Sequence, residues 1–193
     1  MKKHTIITMI EWIVVIFLIW LFIHADIFPT GSRTPEKAHQ LSEQGFHYGP
    51  SNVVRKVTVP FDKDQVIFLG TYKDWFSADM VQKKRGGWFP SGGVAGIKID
   101  RSKALSYSWE SINSKDSYFM TYKIFGYVTD EQITRIELTM KEKDTDNLTT
   151  ITQDIKSDRM FLFIFKGDYA GNPMKSLRGM DQAGKVRYEE QLY

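Results

Sequence analysis

A chain of 193 residues with 42% hydrophobic and 14% aromatic residues holds enough apolar material for one packed domain, and its formal net charge of +3 is too small to keep it unfolded. Setting aside Lys2, Lys3 and Glu11 near the N-terminus turns 26 basic and 23 acidic residues into 24 and 22. That balance excludes an obligate nucleic-acid binder, which needs a strongly basic surface. With no cysteine, disulfides, thiolate metal sites, iron–sulfur clusters, cysteine nucleophiles and lipid attachment to an N-terminal cysteine are all excluded.

Thr5 to Ile23 reads TIITMIEWIVVIFLIWLFI. Such a stretch at about 1.5 Å per residue spans roughly 28 Å, close to the hydrocarbon thickness of a bilayer. Its only polar residues are Thr5, Thr8 and Glu11, too few for the polar stripe of a surface helix. Lys2 and Lys3 precede it, and His24 and Asp26 follow. The positive-inside rule therefore predicts a cytoplasmic N-terminus at 1–4, a transmembrane helix at 5–24 and an exported remainder. This gives a single-pass protein of the cell membrane that meets lipid through residues 5–23 and has an extracellular C-terminal domain. Ile23-His24-Ala25 lacks the small–x–small pattern of a cleavage site, so the helix is read as a retained anchor. Glu11 lies toward the cytoplasmic end, where its carboxylate can reach the interface.

Residues 25–47 are read as a linker with a short helix. Asp26 to Pro35 carries two prolines and a glycine, and Glu36 to Gln44 has helix-forming polar residues stopped by Gly45. The remainder, 48–193, is read as the extracytoplasmic domain, and there the period changes to two. Val53, Arg55, Val57 and Val59 alternate toward Pro60. Asp62-Lys63-Asp64 is read as a turn, and Gln65 to Tyr72 as a dense apolar strand. Trp75 to Lys84 fits a short helix or a strand. The glycines of Gly86 to Gly93 argue against lasting regular structure, and Val94 to Ile99 resumes a strand.

Further strands are expected at Ala104 to Glu110, Tyr118 to Val128, Ile133 to Met140, Leu148 to Ile155 and Met160 to Phe165. A terminal hairpin is expected at Leu177 to Leu192, with Gly184 placed for positive φ. Short strands without intervening long helices predict a mainly β domain, an antiparallel β-sandwich or strongly bent sheet, preceded by the transmembrane helix. A division near Lys115 into two β units is also compatible with this spacing.

No catalytic constellation is visible. There is no GxSxG elbow, and His4, His24, His39 and His47 form neither HxxxH nor HExxH, so they are read as solvent-exposed. Asp144 and Asp146 are read as turn residues, because a calcium loop starting there needs glutamate where Ile155 stands. Lys83-Lys84-Arg85-Gly86-Gly87 lacks Walker spacing. No metal and no cofactor is therefore expected. The densest aromatic and basic region outside clear strands gives the candidate binding residues Trp75, Lys84, Arg85, Trp88 and Phe89, suited to a peptide, a lipid headgroup or a glycan. The competing reading is a core flap under an irregular loop.

Two resemblances add to this. Ile6-Ile7-Thr8-Met9-Ile10-Glu11 resembles the processing site of type IV pilins and pseudopilins, but Ile6 stands where the peptidase needs glycine. Tyr48-Gly49-Pro50-Ser51, Gly87-Trp88-Phe89-Pro90, Tyr122 to Tyr127 with Asp130 to Glu137, and Leu177 to Tyr188 together resemble small membrane-anchored extracytoplasmic proteins of Bacillus-type bacteria. That resemblance implies an export address and a β domain, and no activity. The expected function is a non-enzymatic binding or interaction module, its partner a protein or cell-envelope ligand. The alternatives are a pilin-like subunit of a secretion or uptake apparatus, or an enzyme whose paired carboxylates come from separate strands.

Overall fold

The computed structural model describes residues 3–23, 31–44, 48–92, 96–113, 119–142, 147–167 and 173–192. His24, Ala25, Asp26, Gly45, His47, Gly93, Lys115, Asp144 and Asp146, singled out above, lie outside them, as does the His4 side chain.

Helix α1 (Lys3–Ile23) covers the apolar N-terminal stretch, and the side chains described in it, those of residues 7–21, are exposed or nearly so. The expected helix is present. Among the described residues, however, no helix is long and apolar enough to cross a membrane, so a crossing is not shown by it.

Helix α2 (Pro35–Glu43) begins where Thr34, in extended conformation, accepts a hydrogen bond from the Lys37 amide at 3.2 Å, with Pro35 in the first turn where its missing N–H costs nothing.

The rest is antiparallel sheet. The first sheet has the order β1 (Asn52–Val59), β2 (Asp62–Tyr72), β3 (Trp75–Lys84), β4 (Gly87–Pro90), and β5 (Ile97–Lys98) pairs with the start of β3. The second runs β10 (Met160–Gly167), β7 (Met120–Val128), β6 (Leu105–Asn113). The third runs β12 (Val186–Gln191), β11 (Met174–Met180), β8 (Arg135–Lys141), β9 (Leu148–Asp154).

The second sheet is packed on both faces. Along β10, Met160, Leu162 and Ile164 join the cluster shared with Ile67, Leu69, Phe76 and Met80 of the first sheet. The alternate residues Phe161, Phe163 and Phe165 join the cluster shared with Ile136, Leu138 and Leu177 of the third. Strand β7 divides the same way, Phe125 and Tyr127 to one side and Ile124 and Val128 to the other. This explains the unbroken apolar run of Met160 to Phe165: a strand covered on both sides has no solvent face to make polar. Each such Phe or Leu contributes about 1.5–3 kcal/mol on burial. The passage from first to second sheet falls between β5 and β6, and the shared cluster joins the sheets across it.

Strands β2 and β3 are also covered twice. Ile67, Leu69, Phe76, Ala78 and Met80 face the second sheet, whereas Val66, Phe68 and Val81 pack with Ala38 of α2. The ambiguous Trp75 to Lys84 is therefore a strand, in register with β2 from Gln65↔Gln82 to Tyr72↔Trp75. Two local expectations are corrected. The hairpin loop is Pro60-Phe61, with Val59 paired to Asp62, so Asp62 to Asp64 belongs to β2. Proline has no N–H to give a ladder, which makes it the better loop residue. Gly87–Pro90 forms a regular four-residue strand because β3 pairs it on one side and Ser32 bridges Trp88 on the other.

Candidate functional site

Helical spacing places His39 and Glu43 one turn apart on the face of α2 that meets the first sheet. Opposite them, β3 alternation sends Ser77 and Asp79 toward the helix while Phe76, Ala78 and Met80 point away. Asp79 pairs in register with Phe68, and the Phe68 ring stacks on the His39 imidazole at 4.6 Å between centroids.

The result is a polar cluster under an apolar lid. His39 Nε2 lies 3.0 Å from Asp79 Oδ2 and 3.8 Å from Glu43 Oε1. The side chains of His39 and Asp79 are each 3% exposed and that of Glu43 is 7% exposed. Each carboxylate accepts a further hydrogen bond on the oxygen that faces His39: the Ser77 hydroxyl donates to Asp79 Oδ2 at 2.8 Å, and the Ser51 amide donates to Glu43 Oε1 at 2.9 Å. Among the described residues neither carboxylate has a lysine or arginine partner.

Tyr48, 6% exposed, completes the surroundings. Burial pushes its phenol up to about 12; Ser77 pulls it down, and the charges of Asp79 and Glu43 push it further up. Ser77 is close enough to pull the phenol down through its hydroxyl, but the buried Tyr48 hydroxyl has no aligned hydrogen-bond partner.

Chemically, one imidazole nitrogen and two carboxylate oxygens converge, with all three ligand atoms within 4.8 Å of one another. These donors suit a divalent cation. They do not form an acyl-transfer triad, because the Ser77 hydroxyl donates to Asp79 and not to the imidazole.

The five residues singled out for binding are not brought together. Trp75 opens β3 and is 40% exposed. Lys84 and Arg85 are exposed at the far end, where β3 turns into β4, about 30 Å away at strand rise. Trp88 and Phe89 sit beside that turn but face inward in part. Trp88 packs against the cluster of Ala38, Val66, Phe68 and Val81. The Phe89 ring lies against Gly31, where an added Cβ would come within 2.6 Å of it.

The reading of His39 as solvent-exposed is corrected: α2 docks with that face inward. The sequence holds only two hints of it, His39 and Glu43 four apart on an expected helix, and a single aspartate, Asp79, within an otherwise apolar and small stretch. Neither has a named motif, and the link between them exists only through the packing of α2 on β3. Comparisons with protein-family models, with curated proteins and with solved structures give no match.

Proposed function

We propose that the chain is a single-pass membrane protein whose β domain is displayed outside the cytoplasmic membrane as a non-enzymatic binding or interaction module. The observation that supports this reading is α1. Residues 7–21 alone are shorter than a membrane span, but the helix as a whole has 21 residues. At about 1.5 Å rise it measures roughly 31 Å, which matches a hydrocarbon core of about 30 Å. Its apolar side chains, from Ile7 through Trp20, lie exposed and unburied by the domain. In water that surface is an aggregation hazard, and in lipid it is at home. The flanking lysines Lys2 and Lys3 favour a cytoplasmic N-terminus.

The binding surface is assigned to the β3–β4 hairpin tip, with Lys84 and Arg85 presented to solvent beside Trp88 and Phe89. It is matched to a protein or envelope ligand at the membrane exterior.

Alkaline carbonate extraction of membranes from cells expressing the full chain tests the anchor, and protease shaving of protoplasts tests the side. The reading requires the protein to stay in the membrane pellet and the β domain to be digested without lysis. Recovery in the soluble fraction, or protection of the domain until lysis, overturns it. Crosslinking in intact cells, comparing the native chain with Lys84→Glu/Arg85→Glu, tests the hairpin: an unchanged set of crosslinked partners removes it as the binding surface.

A further inference from the structure

We infer that His39, Glu43 and Asp79 bind one divalent transition-metal ion, which clasps α2 onto β3. Four observations carry this. The donor set is right: one imidazole nitrogen from His39 and two carboxylate oxygens, all within 4.8 Å of one another. A metal with bonds of about 2.0–2.2 Å to nitrogen and oxygen separates its ligand atoms by about 3.0–3.5 Å. The separations from His39 Nε2 are 3.0 Å, a hydrogen bond to Asp79 that the ion would replace, and 3.8 Å, and all three ligand atoms lie within 4.8 Å of one another, so the carboxylates would draw together around the ion.

The second shell is already built. The Ser77 hydroxyl and the Ser51 amide orient the two carboxylates by hydrogen bonds to the oxygens that face His39, and each carboxylate keeps its second oxygen for an ion. Charge argues the same way. Two carboxylates and one imidazole converge in a site whose side chains are nearly dry, with no lysine or arginine partner among the described residues. A divalent cation has the charge to balance the two carboxylates.

The fourth observation concerns a neighbouring side chain. The Tyr48 hydroxyl is buried, lies near enough to Ser77 to be influenced by it, and has no aligned hydrogen-bond partner among the described residues. A buried polar group without a partner costs about 1–3 kcal/mol. Three protein ligands leave a coordination position to be filled, and a water held there would offer an oxygen to a neighbouring hydroxyl such as that of Tyr48. Imidazole with carboxylates and no sulfur suits zinc or manganese over copper(I). Because the site is closed beneath α2, the ion's role is structural: binding free energy becomes stability of the α2–sheet contact.

The test uses the full chain, purified in detergent without a histidine tag, stripped with chelator and refolded with and without metal. Zn2+ is titrated by calorimetry, and Co2+ is used as a spectroscopic probe. The inference requires saturable binding of one equivalent, visible-region Co2+ bands, and a rise in unfolding temperature with Zn2+. Glu43→Gln and Asp79→Asn are close to isosteric and leave the His39 ring in place, so they are the informative variants. Each, folded by circular dichroism, should lose binding by more than about tenfold, and Tyr48→Phe should weaken it while keeping one equivalent. A folded native chain with no saturable uptake of Zn2+ or Co2+ overturns the inference. So does uptake that Glu43→Gln and Asp79→Asn leave unchanged. Neither outcome touches the membrane anchor, which the extraction experiment decides separately.

Discussion

Arg55 reaches across from the edge strand of the first sheet and grips Asp158 at the entry to the second. Its Nη2 donates to Asp158 Oδ1 at 2.8 Å and to Oδ2 at 2.6 Å, its Nε donates to Oδ2 at 3.1 Å, and Nη2 also donates to the Met160 carbonyl at 3.0 Å. Asp158 in turn accepts from the Met160 amide at 3.1 Å, so one carboxylate ties the guanidinium and the start of β10 together. A register shift between Val53 and Arg55 on β1 accompanies this contact. A bulge of this kind re-aims a side chain that strict alternation would send elsewhere.

Removing that carboxylate has a defined cost. The two side chains are 17% and 14% exposed, between the surface pairs that contribute little and the buried pairs whose breakage costs most. Asp158→Ala is expected to destabilise the full chain by about 1.5–3 kcal/mol, the range for hydrogen bonds to charged groups. Urea unfolding followed by tryptophan fluorescence reads it. Arg55→Lys should recover only part, because an ammonium cannot reproduce the forked contact.

Lys123 is a harder case for intuition, since a lysine in the middle of an aromatic strand looks like a solvent-facing residue. Its side chain is 1% exposed, paired with Glu110 at 3.0 Å, and it donates to the Ala78 carbonyl of the neighbouring sheet. Lys123→Ala leaves a cavity and an unpaired carbonyl, with an expected loss of about 2–5 kcal/mol. Lys123→Met keeps the volume, and Glu110, 28% exposed, can turn to water. Its expected cost is below about 1.5 kcal/mol. Thermal unfolding that ranks the two in the opposite order refutes this account of the residue.

Much of the β content was legible because turn chemistry and period two agree over the second half: the terminal hairpin closes at Gly184, with φ at +79° as its position suggested. Legibility failed where both faces of a strand are buried. In β3, Ser77 and Asp79 point at α2 while Phe76, Ala78 and Met80 point at the second sheet. The hydrophobic alternation is then overwritten by a second contact that the sequence does not advertise. The strand expected from Val53 to Val59 is present as β1, but its facing was not legible. Register shifts at Val53/Arg55 and Thr58/Val59 break the simple alternation of Val53, Arg55, Val57 and Val59, so Val54 and Val59 share the same core. The candidate cluster was illegible in kind: His39 and Asp79 are 40 residues apart, and only the docking of α2 makes them neighbours.

Gly126 marks the tightest point of the central sheet. It pairs with Tyr107 on one side and Phe161 on the other, and an added Cβ would meet the Phe161 ring at 2.5 Å and the Ser106 carbonyl closer still. Gly126→Ala is expected to cost at least about 1–3 kcal/mol through overpacking. For a chain of this size that is roughly 2–4 °C in unfolding temperature per kcal/mol. Phe161→Leu should not rescue it, because the backbone carbonyl remains in the way. A double variant as stable as Phe161→Leu alone would place the strain in the ring only.

Tyr48 gives the chain a predictable alkaline weakness. Its phenol is pushed up to about 12 in the folded state, chiefly by burial, from an ordinary value near 10. Between those values the unfolded chain has released the phenolic proton and the folded chain has kept it, so raising the pH favours unfolding. The contribution is complete below pH about 10 and is lost as pH climbs toward about 12. Tyr48→Phe removes the titrating group. Without metal, the variant should match or slightly exceed the native chain in stability at neutral pH, since it deletes a buried hydroxyl that has no hydrogen bond. Its stability should then fall less steeply through the alkaline range. Urea midpoints measured from neutral pH up to about pH 11 for both chains decide this, and parallel curves would mean that the Tyr48 phenol meets solvent in the folded protein.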